Sequence, residues 1–179
     1  MVAILFEGIS DEEVLKSIIK EYDLEINKVI FYDFKGKDNI FNISHEYYDE
    51  IQNEVEIGRI EKILIIVDAD NPKDPNPNRG YEASKQKLKE TISDLEEFGV
   101  SIDYYIMCDM NKKGNLESFL LSVLDKEQQD CIKKFRECYK HNLSDKAVYN
   151  TFYKQKKEPF DFNHSNFDLL KEKLKNLFI

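Results

Sequence analysis

Residues 63–71 read ILIIVDADN, an apolar run that ends in two aspartates, Asp68 and Asp70, with one alanine between them. The run is apolar at successive positions, which is typical of parallel strands that are buried on both faces. The segment that follows, residues 71–80, contains three of the four prolines of the chain and cannot continue a strand or a helix. We therefore place a buried strand at 61–70, EKILIIVDAD, which carries two carboxylates to the start of a loop.

Three other segments have the length and apolar character of strands, namely VAILFE at 2–7, NKVIFYDF at 27–34 and VSIDYYIMCD at 100–109. The first segment between strands has helical spacing and begins with Ser10 and Glu13 in the arrangement of a capping box. We place the other two connecting helices at 42–57 and 80–98. Because strands that alternate with helices form parallel βαβ units, the sequence predicts an α/β fold. Its sheet is open, mostly parallel, four-stranded and Rossmann-like, with helices on its flanks.

The pattern changes after the fourth strand, where the remaining segments all have helical character. We place helices at 115–124, 126–141, 144–157 and 164–177. A chain of 179 residues is long enough for one well-packed domain and short for two. The sequence therefore predicts one domain, with an α/β core at 1–124 and a helical C-terminal extension at 125–179 that packs on it as a cover.

The net charge of −9 argues against a protein that coats nucleic acid by charge alone. The charge is uneven, because residues 109–157 contain eleven Lys and Arg against seven Asp and Glu. No apolar run approaches the roughly 20 residues that cross a bilayer, and the N-terminus has no basic segment of a signal peptide. The three cysteines form no C-x-x-C pair, which is typical of reduced thiols. We therefore expect a cytoplasmic protein without a membrane-spanning segment.

Acidic residues follow several of the predicted strands. Glu7 ends the first strand, Asp68 the third and Asp109 the fourth, and in an open parallel sheet these ends share the edge where ligands bind. Asp68 and Asp70 point the same way if the backbone stays extended. Carboxylates that lie close together repel one another, and a hard divalent cation such as Mg²⁺ or Mn²⁺ relieves that repulsion. The pattern predicts a metal site, although Asp is also common at the start of ordinary loops.

Three motifs carry a resemblance to a known family. ILFEGISDEEVL at 4–15, followed by ILIIVDAD at 63–70, resembles the Toprim domain that topoisomerases, bacterial primases and OLD-family nucleases share. The E-G-x-x-D form is closer to the OLD nucleases, and KGNLESFLL at 113–121 resembles the third acidic motif of that branch. The whole layout resembles small stand-alone Toprim-related bacterial proteins of uncharacterised function.

The resemblance implies a magnesium-dependent protein that acts on the phosphodiesters of DNA or RNA, with nuclease activity as the expected reaction. Glu7 would be a general acid or base and a metal ligand, while Asp68 and Asp70 would hold the cation. Asp11 and Glu117 would complete a second metal position. Two metals about 3.5–4 Å apart can activate the attacking water and stabilise the leaving oxygen together.

Basic residues complete the predicted site. Lys112 and Lys113, in the loop after the fourth strand, are candidate catalytic cations for the charge that develops on the phosphoryl oxygens. Arg79, in the proline-rich loop, is a candidate lid residue that reaches a phosphate. The candidates for a surface that binds the nucleic-acid backbone are Lys133, Lys134, Arg136 and Lys140. Many surface lysines are simply solvated, and we interpret Lys35 and Lys37 in that way.

Three functions fit these residues. The leading hypothesis is a Toprim-type nuclease or another phosphodiester-handling enzyme, with nucleic acid as its partner. The alternative is a non-catalytic module that binds Mg²⁺ or a protein partner, or forms a homo-oligomer, because a fold does not fix a function. The third is a phosphoryl-accepting receiver domain, a class that has paired acids after the first strand and a lysine after the last.

Overall fold

The computed structural model describes residues 1–139, 143–154 and 160–179. The strands in these ranges are β1 (Val2–Phe6), β2 (Val29–Asp33), β3 (Lys62–Asp68) and β4 (Ser101–Met107). The α-helices are α1 (Ile9–Glu21), α2 (Lys37–Ile40), α3 (Glu46–Glu56), α4 (Tyr81–Asp94), α5 (Leu116–Ser122), α6 (Lys126–Cys138), α7 (Asp145–Phe152) and α8 (Asp168–Phe178). The predicted α/β class is confirmed.

The four strands form one open sheet in which all neighbours are parallel, in the order β2-β1-β3-β4. The chain leaves β1 in one direction to form β2 and then crosses to the opposite side of β1 to form β3. The crevice between the ends of β1 and β3 is therefore the topological switch point, where ligands bind in open α/β sheets.

Side chains alternate between the two faces of the sheet, and helices cover both faces. On one face, Ile4, Phe6 and Ile66 pack with α1, α5 and α8, while on the other Leu5 and Ile65 pack with α3 and α4. The central strands are apolar at successive positions because both of their faces are buried. The buried helical residues include Leu15, Ile18, Phe119, Leu170 and Leu174 on the first face and Ile51 and Leu88 on the second.

The C-terminal helices share the first core, and the expected helical cover is confirmed. Leu170 and Leu174 of α8 are buried in the same cluster as β1 and β3. Helix α6 lies at the periphery, where Ile132 packs against a small cluster that includes Leu124 and Val148. None of the helices in the described ranges is long and apolar enough to cross a membrane.

The start of α1 differs from the prediction. The helix begins at Ile9, with Gly8 as its N-cap, and the carboxylate of Asp11 accepts a hydrogen bond from the backbone N–H of Gly8 at 2.9 Å. The predicted capping box of Ser10 and Glu13 is therefore wrong by two residues, because the chain enters the helix almost directly after β1. As a result, Asp11 has a structural role at the start of the helix.

Candidate functional site at the carboxyl edge of the sheet

Glu7 and Asp68 meet at the switch point of the sheet. Oε1 of Glu7, which follows β1, accepts a hydrogen bond from the backbone N–H of Asp68, the last residue of β3, at 2.6 Å. Oδ1 of Asp68 in turn accepts from the backbone N–H of Leu116, the first residue of α5, at 2.9 Å. Backbone donors thus fix both carboxylates, and one oxygen of each has no hydrogen bond to the described residues.

Two further carboxylates, Asp11 in the first turn of α1 and Glu117 in the first turn of α5, lie beside this pair. Both are buried, with exposed fractions of 9% and 5%. Asp11 accepts from the helix N-cap, whereas Glu117 makes no hydrogen bond or ion pair with the described residues. We call Glu7, Asp11, Asp68 and Glu117 the acidic cluster.

Removal from water raises the pKa values of three residues of the acidic cluster, Glu7, Asp11 and Asp68. It raises the pKa of Glu7 to about 7, against a smaller lowering effect of the Lys37 charge, and it raises the pKa of Asp11 to about 7. The pKa of Asp68 lies well above its usual range because the carboxylate is desolvated and the charges of Glu7, Asp11 and Glu117 repel its own. No described Lys or Arg is ion-paired with a member of the cluster. A bound cation would therefore favour the charged forms.

Asp70 has different partners, although it lies only two residues after Asp68. Its φ is +63°, so the extended backbone that would align the two side chains is absent. Oδ2 of Asp70 accepts a hydrogen bond from Nζ of Lys37 at 2.6 Å and lies 3.2 Å from Nη1 of Arg79. Two protein cations thus pair with a carboxylate that the resemblance assigns to the metal.

Lys37 is the main residue of the site that the sequence reasoning missed. We interpreted it as solvated, and that interpretation is wrong: the residue is 1% exposed. Its ammonium donates to Asp70 and, at 3.2 Å, to Oγ of the buried Ser84. The burial depends on the packing of α2 against β1, and a lysine in a short glycine-containing turn carries no local signal of it.

The proline-rich loop after β3 is held by the carboxylate of Asp38. The side-chain amides of Asn76 and Asn78 donate to Asp38 at 3.1 and 2.9 Å. Arg79, which we expected to reach a phosphate, lies 3.7 Å from Asp38 and 3.2 Å from Asp70. Its guanidinium therefore pairs with carboxylates of the protein in this structure.

The two candidate catalytic lysines of the loop after β4 face different cavities. Lys113 lines a cleft of about 590 Å³ that also contains Asp70 and Lys146. The Nζ atom of Lys112 lies 4.8 Å from the ring centroid of Tyr81, in a second cavity. Only Lys113 therefore shares a cleft with residues of the loop after β3.

The candidate nucleic-acid-binding residues on α6 differ in whether a carboxylate of the protein pairs with them. Lys133 and Lys134 are exposed. Arg136 forms an ion pair with Asp145, which also accepts a hydrogen bond from Oγ of Ser118 at 2.6 Å. Lys140 lies outside the described residues. Of the described candidates on this helix, only the two lysines have no carboxylate partner.

The donor set of the acidic cluster suits a hard divalent cation, since it consists of carboxylate oxygens. The described residues contain no group of three or more His, Cys, Asp and Glu side chains arranged to hold a metal ion. Mg²⁺ needs fewer protein ligands than that, because it is typically bound through one or two carboxylates and retains several waters. Glu7 and Asp68 each have one carboxylate oxygen without a hydrogen bond to the described residues, which is the number of carboxylates such a site requires.

Comparisons with known proteins bear on the family of the chain. The model of a family described as "Protein of unknown function (DUF3226)" matches residues 2–176. Neither the curated proteins nor the solved structures gave a match. Because the family match spans nearly the whole sequence, the chain belongs to the DUF3226 family.

Proposed function

We propose that the protein is a Toprim-type enzyme that hydrolyses phosphodiesters of nucleic acid with Mg²⁺ or Mn²⁺, in the cytoplasm. The observation that carries the proposal is the hydrogen bond from the backbone N–H of Asp68 to the Glu7 carboxylate at the switch point, inside a group of carboxylates that no Lys or Arg of the described residues pairs with. Proteins rarely bury carboxylates without a partner, because the desolvation of each charge is costly. A divalent cation is the partner that carboxylate oxygens at this edge would select.

The residues have separate roles in the proposed reaction. Glu7 and Asp68 would hold the cation, and Asp11 and Glu117 would supply a second position. A bound divalent cation lowers the pKa of its water and neutralises charge on the phosphoryl oxygens. In the metal-free protein, burial raises the pKa of Glu7 to about 7. A cation bound to Glu7 would lower that pKa, so Glu7 would act as general acid or base near neutral pH only where it does not itself hold the cation.

Asp70 is assigned a supporting role in this proposal. Its carboxylate is held between Lys37 and Arg79, and its backbone pairs with Gly114 in the loop that precedes α5. Asp70 thus joins the loops after β3 and β4, and through them it fixes the position of Asp68. Lys113 lines the cleft beside Asp70 together with Lys73 and Lys146, and we assign to it the contact with a phosphate that enters there.

The test is a cleavage assay on labelled single- and double-stranded DNA and RNA with Mg²⁺ or Mn²⁺. Glu7→Gln and Asp68→Asn should each abolish cleavage, since both remove a charge and keep the shape of the side chain. Glu96→Gln is the matched control, because Glu96 is exposed in a 3-10 turn shortly before β4 begins, at the opposite edge of the sheet. Cleavage that survives in both site variants would refute the assignment of the active site.

Binding of the cation can be measured separately from cleavage. A ligand at ten times its Kd stabilises the folded protein by about 1.4 kcal/mol, which for a chain of this size corresponds to a rise in Tm of about 3–6 °C. Mg²⁺ or Mn²⁺ should produce this rise in the unaltered protein and in Glu96→Gln. It should produce none in Glu7→Gln or Asp68→Asn.

The non-catalytic scaffold is the second candidate, and the Asp70 ion pairs favour it. A carboxylate that the protein itself neutralises with Lys37 and Arg79 is stable without any metal, as a structural module requires. The two candidates differ in one result. A metal-dependent rise in Tm without cleavage of any tested nucleic acid would support the scaffold over the enzyme.

A further inference from the structure

A second cavity, of about 390 Å³, lies on the other side of the loop after β4. Aromatic side chains make up much of its wall: Tyr81 from the start of α4, Tyr104 and Tyr105 from β4, and Phe119 from α5. Tyr105 and Phe119 are buried, whereas Tyr81 and Tyr104 are partly exposed at the surface of the cavity. The cavity therefore offers aromatic rings to a ligand and has an apolar floor.

Three lysines, Lys85, Lys112 and Lys173, line the same cavity. The Nζ atom of Lys112 lies over the ring of Tyr81 at 4.8 Å, and that of Lys173 lies over Tyr104 at 5.6 Å. Lys173 is also paired with a carboxylate, whereas Lys85 and Lys112 have no ion pair within the described residues. The chain as a whole is acidic, with a net charge of −9, whereas three lysines line this cavity.

The cavity adjoins the cleft that contains Asp70 and Lys113. Asp109 lines both this cavity and the cleft that contains Asp70 and Lys113. Its Oδ1 accepts hydrogen bonds from the backbone N–H groups of Asn111 and Lys113 at 2.8 and 2.9 Å, so the loop that separates the two cavities has a defined shape. A chain molecule that occupies the cavity could continue past this loop into the cleft.

We infer that the cavity holds one nucleobase of a single-stranded nucleic acid, stacked on Tyr81 or Tyr104, with the adjacent phosphate on Lys112 or Lys85. Aromatic rings combined with basic side chains are the chemistry that single strands select, because every base has a face that stacks. The volume is near the lower end of the roughly 300–1,000 Å³ typical of small-ligand sites, which suits one nucleotide unit. A base that enters takes the place of an ammonium group on the ring, and the lysine is then free to contact the phosphate.

This inference rests on the proposed function for its choice of ligand, but its test does not depend on catalysis. The binding of a short fluorescein-labelled oligothymidylate is measured by anisotropy in EDTA, where no metal-dependent cleavage occurs. Tyr81→Leu and Tyr104→Leu should each weaken binding by about 5- to 150-fold, the range expected for the loss of one base–aromatic stack. Lys112→Ala should weaken it as well and flatten its salt dependence, because one phosphate contact is lost.

Two controls separate stacking from general charge. Lys87→Ala removes the same charge as Lys112→Ala but lies outside the cavity, in an exposed pair with Glu90, and should bind like the unaltered protein. An oligonucleotide of the same length with abasic sugars should bind much more weakly than oligothymidylate. Lys112 is exposed, so its substitution tests the site without disturbing the core.

Several results would overturn the inference. Equal binding of the abasic strand would show that only charge is recognised, and unchanged binding of Lys112→Ala and Tyr81→Leu would place the strand elsewhere. Displacement of the strand by free thymidine monophosphate at concentrations near the Kd of the strand would assign the cavity to mononucleotides instead. If the expected binding pattern is found but Mg²⁺ supports no cleavage, the base site stands and the proposed enzymatic activity falls.

Discussion

Asp68→Asn and Asp70→Asn remove the same charge at positions two residues apart, and we expect them to have opposite effects on stability in the absence of metal. The Asp70 carboxylate accepts from Lys37, whose side chain is fully buried, and is also close to Arg79. Asp68 has no ion pair within the described part of the chain, and its pKa is raised by desolvation and by neighbouring acids. Asp70→Asn leaves the buried ammonium of Lys37 without its counter-charge, whereas Asp68→Asn removes a carboxyl group whose charged form is disfavoured by burial and by neighbouring acids.

The size of the loss expected for Asp70→Asn follows from the burial of the Lys37–Asp70 ion pair. Removal of one partner of a buried ion pair typically costs about 3–5 kcal/mol. Because the Asp70 side chain is 28% exposed, the lower end applies, and we expect Asp70→Asn to lower the free energy of unfolding by about 3 kcal/mol. For a chain of this length, that corresponds to a fall in Tm of about 6–12 °C. Asp68→Asn keeps an oxygen that can accept from Leu116, so its stability should equal or exceed that of the unaltered protein.

Urea denaturation in EDTA at neutral pH measures both effects in one experiment. With a slope of about 2 kcal/mol per molar urea, Asp70→Asn should lower the midpoint by about 1.5 M. Lys37→Met should reduce the further loss caused by Asp70→Asn in a double-mutant cycle, because the two residues act as a pair. The reasoning is refuted if Asp68→Asn destabilises as much as Asp70→Asn, or if Asp70→Asn costs less than about 1 kcal/mol.

Other predictions concern pH and backbone geometry. Glu7 and Asp11 have pKa values raised to about 7, so the folded protein keeps protons that the unfolded chain releases at lower pH. Their contribution to stability is present below about pH 4 and is lost as the pH rises through 7. In EDTA, Glu7→Gln should therefore gain stability relative to the unaltered protein as the pH is raised from 5 to 8, which urea denaturation curves at pH 5 and pH 8 would measure. Gly114→Ala should destabilise by about 1–3 kcal/mol, measured as a lower Tm, because φ is +86° there and an added Cβ would lie 2.2 Å from Oγ of Ser118. Asp125→Ala removes the side chain that caps α6 and should cost about 0.5–2 kcal/mol in the same assay, with little effect on metal binding.

The strands could be predicted from the sequence because each is an apolar run bounded by polar turns. All four lie within the predicted segments, because strands that are buried on both faces are apolar at successive positions and are therefore recognisable in a sequence. Helix boundaries were less accurate. The helix predicted at 42–57 begins at Glu46, where His45 caps it, and the helix predicted at 80–98 ends at Asp94 before a 3-10 turn. Caps of this kind depend on local geometry that apolar spacing does not report.

The candidate site could be predicted only in part. The closeness of Glu7 and Asp68 follows from topology, because the ends of β1 and β3 must meet once the sheet is parallel. The ion pairs of Asp70 depend on the positive φ of Asp70 itself and on Lys37, which comes from another crossover unit. Neither feature has a signature in the sequence, since Asp adopts the left-handed region only occasionally and lysine is rarely buried.

The contrast between Asp70 and the acidic cluster is the strongest argument that a ligand from outside the chain completes this edge of the sheet. At Asp70 the fold supplies its own positive charge, through a fully buried lysine and an arginine. At Glu7 and Asp68 it brings carboxylates into contact with backbone donors, and the described residues supply no ion-paired cation there. A protein able to bury Lys37 beside one carboxylate could have evolved the same solution for the others. That the described residues include no ion-pair partner for them at the switch point is expected if a divalent cation binds there, and if that cation has to be exchangeable for the function of the site.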